Sequence, residues 1–324
     1  MKKWNLLLIG LLIYGQSLTA QTLLSNYVKY FGTATYATKQ LILTRQFQRN
    51  DSLFYVCINP QNIDTYILPA QQLTNQQAST WPLLVQTFKQ SAYIQAIEAA
   101  YNNAKMLQDA GVKHGDQQDK GISLTIDLCP SHKPLDRVIF SSLINEFKNI
   151  QKPVPVALSL TGRFLLTHSE DIAWLKNLEK MGDINITWIN HTYNHRCSPN
   201  IPLRENFLLE PNTDVNFEIL GTEVAMIQAG LLPSAFFRFP GLVSDQKVLD
   251  KVISYGLIPV GSDAWLAKGQ AIHNGSIVLI HGNGNEPVGV KDFIKLLQTE
   301  KKKVLQKQWL LYDLRQNLEQ EFEQ

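Results

Sequence analysis

From Gly121 onward, short apolar runs alternate with amphipathic stretches along the rest of the chain. The apolar runs predict strands at 122–126, 154–160, 184–189, 235–239, 257–260 and 277–280, with a further strand at 309–312. The stretches between them predict helices near 134–149, 168–180, 213–230, 245–255 and 288–300. Strands that alternate with helices form parallel sheets through crossover connections. No glycine-rich fingerprint opens the first strand–helix unit, so the pattern favours a closed or nearly closed (β/α) barrel over a dinucleotide-binding sheet.

Residues 21–112 do not follow this pattern and predict a small accessory α+β region, to which the sequence assigns no function. Short β-type runs at 41–43, 53–58 and 66–68 are separated by turn-forming residues, which predicts a meander. Trp81 to Gly111 is predicted to be one helix that ends at a glycine cap. The predicted organisation is a targeting segment at 1–20, the accessory region at 21–112 and the barrel at 113–324.

The first twenty residues have the composition of a secretory signal peptide. Lys2 and Lys3 precede a short apolar stretch, and the small residue Ala20 follows it at a cleavage position. We therefore expect a periplasmic or secreted mature protein, with no membrane contact beyond this segment. The net charge of +2 does not indicate the strongly positive surface that nucleic-acid-binding proteins have. The sequence does not indicate an oligomeric state.

Polar residues with catalytic chemistry follow or flank several of the predicted strands. His191 and His195 are four residues apart, so on a helical turn both imidazoles would lie on one face and reach a single metal ion. The alternative is a pair of structural histidines. Because barrel loops at the carboxyl ends of the strands hold the active site, we expect the other polar segments to converge there. They contain Asp127, Arg238, Asp263 with Trp265, and Leu279 with His281.

In this order, the segments resemble the motifs of the polysaccharide deacetylases, a family of metal-dependent carbohydrate esterases. The family pattern reads T-F-D-D-G-P, H-[ST]-x-x-H, R-x-P, a D-W element and L-x-H. The match covers about residues 121–315. The resemblance implies a distorted seven-stranded (β/α) barrel that removes N-acetyl groups from an envelope or chitin-like polysaccharide, with a divalent metal as cofactor. Zinc suits two neutral imidazoles best, and cobalt is possible.

The resemblance also implies a role for each site residue. His191 and His195 would bind the metal, and Asp127 would be the general base. Arg238 would keep that carboxylate ionised, and His281 would protonate the departing amine, with Asp263 tuning this histidine. Trp265 and Leu279 would form apolar walls around the acetyl methyl group and so bind the substrate. From the sequence alone, Trp265 and Leu279 are equally well interpreted as core residues.

The first motif departs from the family at position 128, where the second aspartate, a metal ligand, is replaced by Leu128. Three substitutes are possible. The preferred one is Asp127, which would then be a metal ligand and leave His281 to act as both base and acid. The others are the thiolate of Cys129, and His132 or Asp136 from the same loop and helix start.

Loss of the ligand also opens a second interpretation, a catalytically impaired glycan-binding pseudoenzyme. Cys129 and Cys197 each lie two residues beyond a predicted site residue. If both segments share one rim, the two sulfurs could form a disulfide, which is compatible with an oxidising compartment but incompatible with Cys129 as a metal ligand.

Overall fold

The structure, a computed structural model, describes residues 24–103, 107–115 and 120–322, with the side chains of 319–322 left out. The predicted segment at 1–20 lies outside these residues. Two sheets form the frame, one antiparallel and one parallel. The strands are β1 (Leu24–Tyr36), β2 (Lys39–Arg49), β3 (Ser52–Ile58), β4 (Thr65–Pro69), β5 (Thr74–Ala78), β6 (Gly121–Leu128), β7 (Val154–Leu160), β8 (Ile184–Asn190), β9 (Pro233–Phe237), β10 (Ile258–Pro259), β11 (Ala264–Trp265), β12 (Ser276–His281) and β13 (Leu310–Leu311). The helices are α1 (Trp81–Thr87), α2 (Ala92–Asn102), α3 (Val138–Phe147), α4 (Gly162–Thr167), α5 (Ser169–Lys180), α6 (Val215–Gln228), α7 (Gln246–Ile253), α8 (Pro287–Leu305) and α9 (Leu314–Phe322).

The parallel sheet confirms the predicted (β/α) barrel fold. Its strands follow the order β10-β9-β8-β7-β6-β12-β11, and β13 pairs with β6. Each pairing in this sheet is parallel, as crossover helices require. β6 lies at the centre, and Asp127 pairs in register with His281 on one side and with Ser159 on the other. The carboxyl ends of these strands therefore bring the first and last predicted site residues together.

The accessory region is a five-stranded antiparallel sheet, in the order β4-β3-β2-β1-β5, followed by α1 and α2. The prediction of one helix from Trp81 to Gly111 is wrong. The chain breaks between α1 and α2 at Phe88–Ser91, and Ser91 caps α2 by accepting a hydrogen bond from the backbone N–H of Ile94. Residues 107–115 are not helical and instead form isolated bridges to the barrel, such as Val112 with Val260.

The hydrophobic core crosses the predicted boundary at residue 112. One cluster of buried side chains joins Leu84 and Ile97 of the accessory helices to Ile189 and Phe236 of the barrel strands. A second cluster lies between the parallel strands and the helices around them, and it contains Leu128. The position of the domain boundary stays a prediction, but the two regions share buried apolar contacts.

A buried ion pair joins the accessory sheet to helix α6. Arg45 on β2 donates from Nε and Nη2 to the two carboxylate oxygens of Glu223, at 2.7 and 2.8 Å. Tyr27 on β1 donates to the same carboxylate at 2.8 Å. A bidentate pair of this kind fixes the orientation of both side chains. Among the described residues, no helix has the length and apolar composition needed to span a membrane.

Candidate metal and catalytic site

The carboxyl end of β6 presents two adjacent residues in opposite directions. Asp127 is 97% buried and faces His191, with Oδ2 lying 3.6 Å from the imidazole Nε2. Leu128 is fully buried in the cluster between the strands and the outer helices. Side chains of consecutive strand residues alternate between the two faces of a sheet, so one of these positions must face away from the site. Cys129, the next residue, is where the chain turns back toward the cavity.

The segment from His191 to His195 is a loop and not the predicted helical turn. Thr192 and His195 have positive φ angles of 70° and 47°, in the left-handed region that a helix does not use. The two imidazole rings nevertheless meet, with centroids 4.7 Å apart. The expected convergence of the two histidines is present, although the backbone conformation that produces it differs from the one predicted.

Glu218 on α6 holds this loop in place. Its Oε2 accepts hydrogen bonds from the backbone N–H groups of Tyr193 and Asn194, both at 2.8 Å. Its Oε1 accepts a third bond from Asn194 Nδ2 at 2.7 Å. Glu218 is only 4% exposed, so these three donors provide the hydrogen bonding that burial removes. Glu218 could not be identified from the sequence, because nothing in an amphipathic helix marks one carboxylate as pointing toward a distant loop.

Cys129, His191 and His195 form a group whose ligand atoms all lie within 4.8 Å of one another. Cys129 Sγ lies 3.4 Å from His195 Nε2 and 3.7 Å from His191 Nε2. Asp127 is outside this group, although it was the preferred substitute for the missing ligand. The geometry favours the second substitute, the Cys129 thiolate.

The electrostatic environment also favours a thiolate at this position. Burial alone raises the pKa of the Cys129 thiol, but the charge of His195 and hydrogen bonds from neighbouring imidazoles hold this pKa well below its usual value. His191 Nδ1 lies 2.9 Å from the carbonyl oxygen of Arg238. A hydrogen bond to this oxygen places the ring proton on Nδ1, which leaves the Nε2 lone pair available to a metal.

The proposed Cys129–Cys197 disulfide is wrong, because both cysteines are free thiols. Cys129 is buried and faces the imidazoles, whereas Cys197 is exposed beyond the loop. The third set of substitutes also lies elsewhere. His132 is exposed, and Asp136 accepts a hydrogen bond from the backbone N–H of Gly284.

Arg238 lies beside Asp127, as the motif order predicts. The guanidinium is fully buried, with Nε 4.0 Å from Asp127 Oδ1, and Nη2 donates to Thr125 Oγ1 at 2.8 Å. Burial alone raises the pKa of the Asp127 carboxyl, but the charge of the Arg238 guanidinium beside it holds this pKa below its usual value. The carboxylate is therefore ionised at neutral pH and able to accept a proton.

His281 is oriented by Glu286 and not by Asp263. Its Nδ1 lies 2.8 Å from Glu286 Oε2, the same oxygen that accepts a hydrogen bond from Trp265 Nε1 at 2.8 Å. Burial alone lowers the pKa of His281, but its close contacts with Cys129 and Glu286 raise it well above its usual value. Glu286 had not been identified from the sequence as a partner of His281.

Asp263 immediately precedes β11 and lies too far from His281 to contact it, so its predicted tuning role is wrong. Register pairs Trp265 with Leu279, which places Asp263 beside Ile277. That position is four residues before His281 on β12, or about 13 Å at 3.3 Å per residue. Asp263 instead pairs with His114 Nδ1 at 2.5 Å and accepts a hydrogen bond from Ser276.

Trp265 and Leu279 pack with Leu242 in a small apolar cluster next to the site. The Trp265 ring lies 5.7 Å from the His281 ring, between centroids. The burial of both side chains is consistent with the interpretation as core residues, and the position of Trp265 on the cavity is consistent with the interpretation as a substrate-binding wall. The cavity has a volume of about 770 Å³ and is open to solvent, and its lining includes Cys129, Arg163, His195, Trp265, His281 and Glu286.

No protein-family model matches the chain. Among solved structures, the chain is similar to a family 4 carbohydrate esterase from Bacillus anthracis, at 18% identity over 68% of this chain and 90% of that chain, with a TM-score of 0.48. It is also similar to PdaA, a family 4 carbohydrate esterase of Bacillus subtilis, at 17% identity over 81% and 93% of the two chains, with a TM-score of 0.45. A family 4 pseudoenzyme from Bacillus anthracis is similar at 17% identity over 68% and 81%, with a TM-score of 0.45.

Proposed function

We propose that this protein is a metal-dependent hydrolase that removes N-acetyl groups from an envelope or chitin-like polysaccharide, such as peptidoglycan or a polymer of N-acetylglucosamine. Three kinds of group converge beside one open cavity, and this convergence carries the proposal. They are the metal-donor group that contains Cys129, the ionised carboxylate of Asp127, and His281 with its acidic partner. Residues from three separate strand ends, those of β6, β8 and β12, supply them. A purely structural role does not require this set of groups at a solvent-accessible cavity.

The residues present fit a zinc ion. Cys129, His191 and His195 offer one thiolate and two imidazoles, a donor set that zinc accepts in catalytic sites with a fourth position open. When bound there, zinc would polarise the acetamide carbonyl and activate the attacking water.

The chain's own residues supply the proton transfers. Asp127, kept ionised by Arg238, takes the proton from the attacking water. His281, whose Nδ1 is oriented by Glu286, donates a proton from its other ring nitrogen to the departing amine. Leu242 and Leu279 extend the wall that Trp265 forms beside the acetyl methyl group. Each group has one role, so His281 is not required to serve as both base and acid.

The test is acetate release from an N-acetylglucosamine oligomer by purified protein with added zinc. Asp127→Asn is expected to lower turnover by at least about 100-fold, a typical cost of losing a general base. Asp263→Asn is the matched control, because it makes the same change in a carboxylate that pairs with His114 away from the site. Acetate release that Asp127→Asn, His191→Ala and His281→Ala leave unchanged would refute the proposed site.

A glycan-binding pseudoenzyme is the second candidate function, and Leu128 is the observation that favours it, since it replaces a metal ligand of the family pattern. Elemental analysis of protein purified without chelator separates the two. One bound transition metal per chain supports the hydrolase, and binding of glycan without metal or acetate release supports the pseudoenzyme. Periplasmic or secreted localisation is part of the proposal, and cell fractionation with amino-terminal sequencing of the mature protein tests it.

A further inference from the structure

We propose that the metal centre is a thiolate site, in which Cys129 Sγ replaces the carboxylate ligand lost at Leu128, and that it therefore selects zinc and other thiophilic ions over hard ions such as magnesium and manganese. The inference rests on the metal dependence of the proposed function. It is tested by spectroscopy and metal competition, which do not require catalytic turnover.

The donor atoms of Cys129, His191 and His195 have the spacing that zinc ligands require. Zinc–nitrogen bonds of about 2.0–2.1 Å and zinc–sulfur bonds of about 2.3 Å separate tetrahedral ligand atoms by about 3.3–3.8 Å. Cys129 Sγ lies 3.4 Å from His195 Nε2 and 3.7 Å from His191 Nε2. Both distances are within this range, so the sulfur already has the separation from both imidazoles that a shared metal requires.

Hydrogen bonds and core packing fix the backbone at Cys129. Asn283, which is fully buried, donates from Nδ2 to the Cys129 carbonyl oxygen. The preceding residue is held by the core packing of Leu128 and by the hydrogen bond from Thr161 Oγ1 to its carbonyl oxygen. The sulfur is therefore positioned by rigid neighbours on both sides, as a preorganised ligand is.

A sulfur ligand leaves the carboxylate of Asp127 free to act as the base. If Asp127 moved onto the metal, the ion pair with Arg238 would have no separate function and the site would lack a base other than His281. With Cys129 as ligand, Asp127 keeps its position beside Arg238, with 4.0 Å between Oδ1 and Nε. The replacement at position 128 is then compensated one residue later in the chain.

The donor set determines the metal preference. Thiolates bind zinc and other soft or borderline ions, whereas carboxylate and water ligands suit magnesium, calcium and manganese. A Cys/His/His site therefore differs in selectivity from a site with an aspartate in the sulfur's place.

The experiment uses mature full-length protein, freed of metal with a chelator and titrated with cobalt(II). The expected result is a near-ultraviolet charge-transfer absorption typical of a thiolate–cobalt bond, which zinc removes and a large excess of manganese does not. Cys129→Ser should lose this absorption and weaken zinc binding by about 100-fold or more, the upper end of what outer-shell substitutions cost. Cys197→Ser, a matched change at the exposed cysteine on the same cavity, should keep both properties.

Cys129→Asp provides a second test that keeps a ligand at the position. It should bind metal without the charge-transfer absorption and shift the preference toward manganese, and circular dichroism verifies that it is folded. The proposal is overturned if Cys129→Ser keeps the absorption, if Cys197→Ser loses it, or if manganese displaces zinc from the wild-type protein. A cobalt–thiolate absorption without acetate release from any N-acetylated glycan would overturn the proposed reaction and leave the thiolate site standing.

Discussion

Replacing Leu128 by aspartate would restore the family pattern in the sequence, but we expect it to damage the protein instead of completing the metal site. The Leu128 side chain is fully buried among apolar residues of the strand–helix core. It lies against Gly282, where an added Cβ would come within 3.2 Å of Leu128 Cδ2. A carboxylate at this position therefore faces the core, on the side of β6 opposite to Asp127.

The cost of Leu128→Asp has two parts. Removing a buried leucine side chain costs about 2–5 kcal/mol, as in leucine-to-alanine substitutions. A polar group without partners adds about 1–3 kcal/mol. We expect a total of about 3–8 kcal/mol, which is a large fraction of the about 5–15 kcal/mol that stabilises an ordinary domain.

Urea denaturation followed by circular dichroism measures this loss, and elemental analysis of the same preparation measures zinc. Leu128→Asn is the control of equal size without the charge, and it should be destabilised with no more zinc than the wild type. Leu128→Met should be nearly neutral, since it conserves volume. If Leu128→Asp melted like the wild type and bound zinc more tightly, the side chain would reach the metal and our assignment of the two faces of β6 would be refuted.

Three further substitutions test the contacts around the site. Glu218→Gln keeps the size of the side chain but weakens the charged hydrogen bonds to the loop between His191 and His195, each worth about 1.5–3 kcal/mol. Zinc affinity, measured by chelator competition, should therefore fall at least tenfold. Unchanged affinity would show that the loop keeps its conformation without Glu218. Trp265→Phe keeps an aromatic ring but removes the hydrogen-bond donor to Glu286. Loss of this hydrogen bond, worth about 1–1.5 kcal/mol, should lower kcat by about tenfold with little change in KM. A change in KM alone would assign Trp265 to substrate binding only. Arg45→Met leaves the buried Glu223 carboxylate without its cation, which should lower the free energy of unfolding, measured in urea or by heating, by about 3–5 kcal/mol. The double variant with Glu223→Met should recover part of that loss. Full stability of the single variant would contradict the assignment of a buried ion pair.

The barrel was predictable because its signals are local. The five longer strands of the parallel sheet are short, largely buried runs, such as Val154–Leu160, and each of these five is followed by a helix before the next strand. The helix predicted from Trp81 to Gly111 failed because apolar spacing alone does not reveal a break. Ser91 caps a new helix there, and the segment after residue 107 pairs with barrel strands that are distant in the chain.

The site was predictable only as far as residues converge at strand ends. Five predicted residues lie at or just beyond the carboxyl ends of strands in one parallel sheet: Asp127, His191, His195, Arg238 and His281. Their order in the chain was therefore sufficient to predict that they converge. The partner of His281 depends on register, which the sequence did not supply. β11 is only two residues long, and the register that pairs Trp265 with Leu279 moves Asp263 out of reach.

Helix α6 connects the accessory sheet with the loop between His191 and His195, because it contacts both. The loop contains two residues in the left-handed region, a conformation that costs free energy and persists only when its surroundings hold it. Glu218 provides that support, and its position depends on the placement of α6. Five residues further along the same helix, Glu223 is fixed by the bidentate contact with Arg45 of the accessory sheet. The sheet contributes none of the donor atoms in the Cys129–His191–His195 group. It nevertheless anchors the helix that shapes the loop between His191 and His195, so a loosened Arg45–Glu223 contact should weaken metal binding as well as stability.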